Sequence, residues 1–433
     1  MSTALLTDHY ELTMVNAARA SGRADRSAVF EVFARRLPGG RRYGVVAGTR
    51  RLIDAIAKFR FGSAELDFLV TNNIVSDDTA QWLSQYRFSG DIRGYQEGEI
   101  YFPGSPLLVV EGSFAEAVIL ETLILSVLNY DSAVASAASR MVTAANHRPL
   151  IEMGGRRASE RSAVAAARAA YIAGFQATSN LEAGRSYGIP TRGTAAHAFT
   201  LLHDSEEEAF RAQVNAMGTN TTLLIDTFDI ERGVANAIAA AGVELGAVRI
   251  DSGDLPVVVS QVRAQLDSLG AHTTKIVVTN DLDEHTIAGL RGEPVDIFGV
   301  GTSVVTGSGS PAVGLVYKLV ARTSSDGNWV SVAKKSPQKG NPGGRKTAFR
   351  ALTDGVATEE VVLIGSGEPP AGARPLMVTL MHAGEPHETL TPAEATEAAR
   401  AHHQLALSEL PAEAFSLQKG DPILPTRFLG EGA

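Results

Sequence analysis

The chain contains no cysteine, which excludes disulfides, a thiolate nucleophile and every metal site built on sulfur. Positive charge is in the minority: 39 Lys and Arg face 48 Asp and Glu, a formal net charge of −9. That balance argues against a general nucleic-acid binder and leaves room for a local basic pocket around an anionic ligand. The first residues lack a basic run and carry Asp8 and Glu11 where a signal segment needs apolar side chains. The most apolar stretch, 115–128, includes Glu116 and Glu121 and reads as too short to cross a bilayer. A cytoplasmic protein with no membrane and no nucleic-acid partner is expected. Solenoid repeats, low-complexity tracts, a Walker A sequence and a His-x-x-x-His pair are also missing, which argues against repeat folds, a P-loop and a dedicated zinc site.

With 433 residues and 44% hydrophobic content, the chain is long enough for two domains or one barrel with additions. Residues 1–115 alternate short strand patterns with Gly/Pro breaks and read as an α+β outer domain. Helical, alanine-rich runs follow over about 116–146 and 159–174, opening a β/α barrel domain assigned to 116–318. Beyond it, 319–433 returns to short strands and turns, so both chain ends are expected to build the outer domain. A basic, Gly/Pro-rich loop runs from Lys334 to Lys346.

Five apolar runs between about 190 and 306 end in polar residues. The first end is Gly193-Thr194-Ala195-Ala196-His197. The others carry Asp226 and Asp229, Arg249 with Asp251 and Asp254, Asn280 and Asp281, and Gly299-Val300-Gly301-Thr302. In a barrel of parallel strands such ends converge on one pocket. Ser205 and Glu208 read as a capping box opening an intervening helix, and Thr7 as an N-cap near the chain start.

Each residue type leaves alternatives open. His197 suits a general base, a metal ligand, a phosphate acceptor or a hydrogen-bonded structural histidine. The glycines at 299 and 301 suit a phosphate cradle or a tight turn. The paired aspartates suit Mg²⁺, a developing cation or helix capping. Arg156 and Arg157 suit an anion or a solvated surface. Arg249, inside an apolar strand, needs a partner in Asp251 or a ligand. Tyr10 suits a planar ring or a helix start.

Taken in order, segments 7–14, 154–158, 178–184, 193–197, 249–255, 299–305 and 316–319 make the chain resemble the nicotinate phosphoribosyltransferase family along nearly its whole length. The resemblance implies an irregular β/α barrel of the type II phosphoribosyltransferase kind, an outer domain from both chain ends, and a homodimer. It implies transfer of phosphoribosyl from phosphoribosyl pyrophosphate to nicotinate in NAD salvage, driven by ATP through phosphorylation of His197, with Mg²⁺. By the same resemblance Arg249 meets the nicotinate carboxylate and Tyr10, donated across the dimer, stacks on the ring. Gly299, Gly301 and Thr302 with Asn280 and Asp281 hold the 5-phosphate, Arg156 reaches phosphate, and Asp226 and Asp251 face ribose, ring nitrogen and magnesium. The loop from Lys334 to Lys346, with Arg157, is a candidate lid over ATP or pyrophosphate.

One position departs from the family pattern. Met153 stands where many relatives place a ring-stacking Phe, and a thioether still covers a ring face. Ser179 and Asn180 replace the aspartate that nicotinamide-using relatives carry, which favours the acid. The rivals are quinolinate or nicotinamide phosphoribosyltransferase, and a non-catalytic sensor of phosphate ligands.

Overall fold

A computed structural model of the chain describes residues 2–334 and 341–430. Lys335 and Lys339 of the basic loop lie outside the described residues. Two compact units form, one from Met1–Ser136 with Ser310–Ala433, the other from Ala137–Gly309. Both chain ends thus build one unit, but its borders differ from the expected 115/116 and 318/319. Helix Phe114–Val118 and the first half of helix Glu121–Ala145 place Ala115, Val118, Leu123, Ile124 and Leu128 in the core of the first unit. Strand Leu315–Thr323 pairs there with Ser27–Ala34, so it is outer-unit structure as well.

The first unit is organised by a seven-stranded antiparallel sheet, in the order Trp329–Ser331, Leu315–Thr323, Ser27–Ala34, Leu108–Ser113, Asp91–Tyr95, Met377–His382 and Glu385–Pro386. Ser27–Ala34 carries Val29, Phe30, Val32 and Phe33 and, beyond Ser27, is buried on both faces, as β-branched and aromatic side chains favour. On one face Phe30 stacks on Tyr317, with ring centroids 4.8 Å apart. On the other, Glu31 accepts from Lys346 Nζ at 2.7 Å with both side chains fully buried. A four-stranded sheet holds a second buried ion network, in which Arg350 binds Glu99 and Glu360.

Helical structure over Phe114–Ala145 is 32 residues long, enough by length and hydropathy to cross a membrane, which corrects the reading of that stretch as too short. Its most apolar window is 67% buried within the fold, so protein supplies the apolar surroundings that its side chains require.

The second unit is built on six parallel strands in the order Ala177–Thr178, Leu150–Glu152, Ile297–Val300, Lys275–Val278, Ala247–Ile250 and Thr222–Leu224. The last strand in sequence lies beside the first, the neighbour relation of a barrel. Among the described residues the ladder is nonetheless a half-barrel with two edges. Thr191 adds one parallel bridge to Thr178 at one edge, and Thr222–Leu224 forms the other. Helices Glu160–Ile172, Glu206–Met217, Ile230–Ala241 and Leu255–Ser268 alternate with the strands.

Local chemistry corrects several expectations. Of the five expected strand ends, the one before His197 is that single bridge at Thr191; two short strands, Leu150–Glu152 and Ala177–Thr178, complete the sheet instead. Ser205 caps its helix by accepting from Glu208 N at 3.2 Å, half of the expected reciprocal box. Asp8 occupies the N-cap position of His9–Ala20, while the Thr7 hydroxyl donates to the Glu11 carboxylate and, at 3.0 Å, to Ile119 O.

Candidate active site

Parallel strands present their C-terminal ends on one edge of a sheet, and here that edge gathers the polar residues. The ladder continues past four of the six strands: Ile225 N donates to Arg249 O at 3.1 Å, Thr279 N to Ile250 O at 3.0 Å, Met153 N to Val300 O at 2.8 Å and Ser179 N to Glu152 O at 2.8 Å. The first residue of each of these loops therefore inherits the rigidity of the strand before it. A cavity of about 350 Å³ opens on this edge, walled by Met153, Arg156, Arg192, His197, Arg249 and Asp251 among others.

Arg249 is the hub. Its Nε donates to Thr279 Oγ1 at 2.8 Å, Nη1 to Thr194 Oγ1 at 2.9 Å and Ala195 O at 3.3 Å, and Nη2 to Asp251 Oδ1 at 3.2 Å. The Thr279 hydroxyl in turn donates to Asp251 Oδ1. With the Arg249 side chain 14% exposed and that of Asp251 26% exposed, a planar cation and a carboxylate are fixed side by side at the cavity wall. The alternatives open at Arg249 resolve here: it pairs with Asp251 and still faces the cavity.

His197 is the first residue of helix His197–Leu202. Its Nδ1 hydrogen-bonds to Thr227 Oγ1 at 3.1 Å, and Nε2 lies 4.0 Å from Asp251 Oδ2. The ring is thus held at one nitrogen and turned toward the carboxylate with the other. Behind it, Asp226 Oδ2 accepts from Asp251 N at 2.8 Å and Ser252 Oγ at 2.6 Å, while Asp226 Oδ1 is buried without a partner.

The aspartates divide by role. Asp229 accepts from Arg232 N at 2.8 Å as the cap of Ile230–Ala241, and Asp254 sits at the N-cap position of Leu255–Ser268. Asp226 and Asp251 alone of the four enter the polar network of the cavity wall. Asn280, Asp281, Gly301 and Thr302 follow neighbouring strands on the same edge, Gly299 lies within strand Ile297–Val300, and none of the five is a wall of this cavity. Gly299 acts on it indirectly, because a Cβ there would stand 2.7 Å from Met153 Sδ and 2.6 Å from Thr279 Cγ2. Arg157 is exposed and lines no part of the cavity. Tyr10 belongs to the other compact unit, 43% exposed on helix His9–Ala20. Its phenol is held above its ordinary pKa by partial burial and then by Glu121 and Glu11.

Four side chains escaped the sequence reading. Arg192 adds a third guanidinium to the cavity walls. Thr279 and Thr227 orient Arg249 and His197. Glu152, fully buried, accepts from Gly154 N at 2.5 Å and Thr178 Oγ1 at 2.6 Å, tying two loops together; burial pushes its pKa up. A carboxylate at the end of a three-residue strand was the available signal for Glu152. The threonines carry none, since Thr is common in strands.

Among the described residues no group of three or more His, Asp or Glu forms a metal cluster. Three guanidiniums, one imidazole and the Asp251 carboxylate line one cavity at the ends of parallel strands, with Asp226 bonded to the Asp251 backbone, a donor set suited to anionic ligands.

Comparison with known proteins narrows the class. Residues 5–129 match the nicotinate phosphoribosyltransferase N-terminal domain and 149–354 the nicotinate phosphoribosyltransferase family. The chain is 56% identical to nicotinate phosphoribosyltransferase pncB1 of Mycobacterium tuberculosis, over 98% of this chain and 95% of that protein. The crystal structure of human nicotinic acid phosphoribosyltransferase superposes with a TM-score of 0.83 at 26% identity, covering 99% of this chain and 98% of that one. A nicotinate-nucleotide pyrophosphorylase from Pyrococcus furiosus shares the fold, with a TM-score of 0.77 at 23% identity, covering 93% and 95%. The chain belongs to the nicotinate phosphoribosyltransferase family.

Proposed function

We propose that this chain transfers the phosphoribosyl group of phosphoribosyl pyrophosphate to the ring nitrogen of nicotinate, releasing pyrophosphate, and that ATP drives the reaction through a phosphorylated His197. The observation that carries the reading is the joining of Arg249, Asp251 and His197 around one cavity, in a chain of this family.

In the transfer, the C1–O bond of the ribose breaks and its electron pair leaves with pyrophosphate, while the pyridine nitrogen supplies the pair for the new C–N bond. Positive charge develops on the ribose and negative charge on the departing diphosphate. Asp251, held in place by Arg249, Thr279 and Asp226, stabilises the first, and Arg156 and Arg192 the second. Arg249 offers its outward edge to the nicotinate carboxylate as a forked donor. The His197 imidazole, oriented by Thr227, attacks the γ-phosphorus of ATP as the P–O bond breaks and its electron pair leaves with ADP, and attack of water on the P–N bond releases phosphate and returns the free ring.

Magnesium fits the donor set in a limited way. Asp226 Oδ1 is a buried oxygen without a partner and Asp251 lies beside it, so one or two carboxylates would hold the ion together with substrate phosphates. Bound there, Mg²⁺ supplies charge neutralisation for the diphosphate. Asn280, Asp281, Gly299, Gly301 and Thr302, on the adjacent strand ends, would receive the 5-phosphate, and a second copy of the chain would donate Tyr10 to the pyridine ring in a homodimer.

Pyrophosphate release from phosphoribosyl pyrophosphate, measured with nicotinate, nicotinamide or quinolinate in turn, each with and without ATP and Mg²⁺, tests the whole reading. Release with nicotinate, raised by ATP, is expected. Release only with another pyridine would move the chain to a sister activity, and no release would leave a phosphate-ligand sensor.

A further inference from the structure

A second cavity, of about 370 Å³, is built wholly from the first unit. Its floor is apolar, with Met14, Phe114 and Leu319, and its rim carries Arg23, Arg26 and Arg322. No carboxylate lines it; Asp25, between two of these arginines in sequence, is exposed and is not a wall. Among the described residues none of the three guanidiniums forms an ion pair with a carboxylate. The Arg26 guanidinium is held below its ordinary pKa by partial desolvation, then by Arg23 and Arg322.

The scaffold beneath them is rigid. Helix His9–Ala20 is closed by Gly22 with φ 66° and by Arg23 N donating to Ala18 O at 2.8 Å. Arg26 N donates to Arg23 O at 3.3 Å, and Arg26 O and Ala24 O accept from Phe114 N at 2.8 Å and Ala115 N at 3.0 Å. Arg322 is fixed by its pairing opposite Ala28 in the sheet, and its Nη1 donates to Thr323 O at 3.2 Å.

Like charges gathered without a counter-charge repel one another and are stabilised by any anion that joins them. We propose that this cavity binds a nucleotide, with the phosphate on Arg23, Arg26 and Arg322 and the base against Phe114, Met14 and Leu319. The dianionic phosphate accepts forked bonds from guanidiniums. An aromatic ring and a thioether offer the flat, polarizable contact that a base requires. The volume falls within the range of small-ligand sites. Inorganic phosphate would leave the floor uncovered, and a neutral nucleoside would leave the cations unpaired.

The test is calorimetric titration of AMP, adenosine and inorganic phosphate into the full chain and into three variants: Arg26→Gln/Arg322→Gln, Met14→Glu, and Arg249→Ala at the catalytic edge. Each guanidinium lost should weaken AMP binding roughly tenfold, so the double variant should bind about a hundredfold more weakly. Met14→Glu, which replaces the apolar contact for the base with a carboxylate inside the arginine-rimmed cavity, should remove binding as well. Arg249→Ala should retain this site, and AMP should bind at least about tenfold tighter than adenosine or phosphate. If AMP also occupies the catalytic edge, the wild-type isotherm shows two sites and each variant loses only its own. Absence of AMP binding, binding unchanged in both first-unit variants, loss of the only site in Arg249→Ala, or phosphate binding as tightly as AMP would each overturn the proposal. Far-UV circular dichroism of the variants confirms that a loss is not unfolding, and Met14→Glu decides the matter if the double variant fails to fold.

Discussion

Thr279 holds the two opposite charges of the active site in register, and Thr279→Val removes that link while keeping the branched shape. Two hydrogen bonds are lost, each to a charged partner: the one Arg249 Nε donates at 2.8 Å and the one the hydroxyl donates to Asp251 Oδ1. Bonds to charged groups contribute about 1.5–3 kcal/mol when buried. Here the Arg249 and Asp251 side chains keep 14% and 26% of their surface exposed, so water replaces part of what is lost. About 1–2 kcal/mol remains across the pair. With about 1.4 kcal/mol per factor of ten, kcat/KM for nicotinate should fall roughly 5- to 30-fold. The loss should appear mainly in KM, because Arg249 positions the carboxylate in the ground state as well as the transition state. Thr279→Ser keeps the hydroxyl and should recover most of the activity. The assay is steady-state pyrophosphate release against nicotinate concentration, with thermal unfolding of each variant as the control for stability. A Thr279→Val enzyme with the wild-type kcat/KM, or a Ser variant impaired as badly as the Val one, would refute the assignment.

Three further outcomes are expected. His197→Ala should abolish incorporation of label from γ-phosphate-labelled ATP and leave slow, ATP-independent transfer; unchanged labelling would move the phosphoryl acceptor elsewhere. Gly154→Ala places a Cβ 2.2 Å from Val305 Cγ1 and 2.9 Å from Gly301 O. The overpacking should cost about 1–3 kcal/mol, lowering Tm by several degrees, and Val305→Ala in the same chain should restore part of it. His403 is buried, bonds through Nδ1 to Gly98 O at 2.9 Å, and has its pKa lowered by burial from 6.5 to about 4. Because the folded value is depressed, its contribution is fully present above pH 6.5 and is lost as pH falls toward 4, a change of about 3 kcal/mol. Tm should therefore decline more steeply over that window in the wild type than in His403→Leu. Parallel declines in the two proteins would show that another group is responsible.

Strong local signals were legible in the chain. Alanine-rich helical runs appear as Glu121–Ala145 and Glu160–Ile172, and the Asp226, Arg249 and Thr279 strand ends emerge on one sheet edge. These rest on apolar periodicity and on polar residues ending β-branched runs, which depend on neighbours in sequence. Leu150–Glu152 and Ala177–Thr178 were not legible, being three and two residues long; so short a run has no period to read, and only pairing with Ile297–Val300 and with each other makes them strands. Capping decided between roles that composition could not separate. Asp229 and Asp226 are the same residue type three positions apart, yet one terminates a helix and the other steadies Asp251.

The sequence by itself determined the alternation of strand and helix, the family resemblance and the residue types available for handling phosphate and carboxylate, because those are properties of ordered local pattern. Tertiary structure alone decided which of them meet. Arg249 reaches Thr194 and Thr279 across 55 and 30 residues of chain, Arg192 joins the cavity although no local motif marks it, and Glu31 finds Lys346 at a separation of 315. Contacts at such distances are set by strand order and register, and a buried charge takes whatever partner the fold delivers to it.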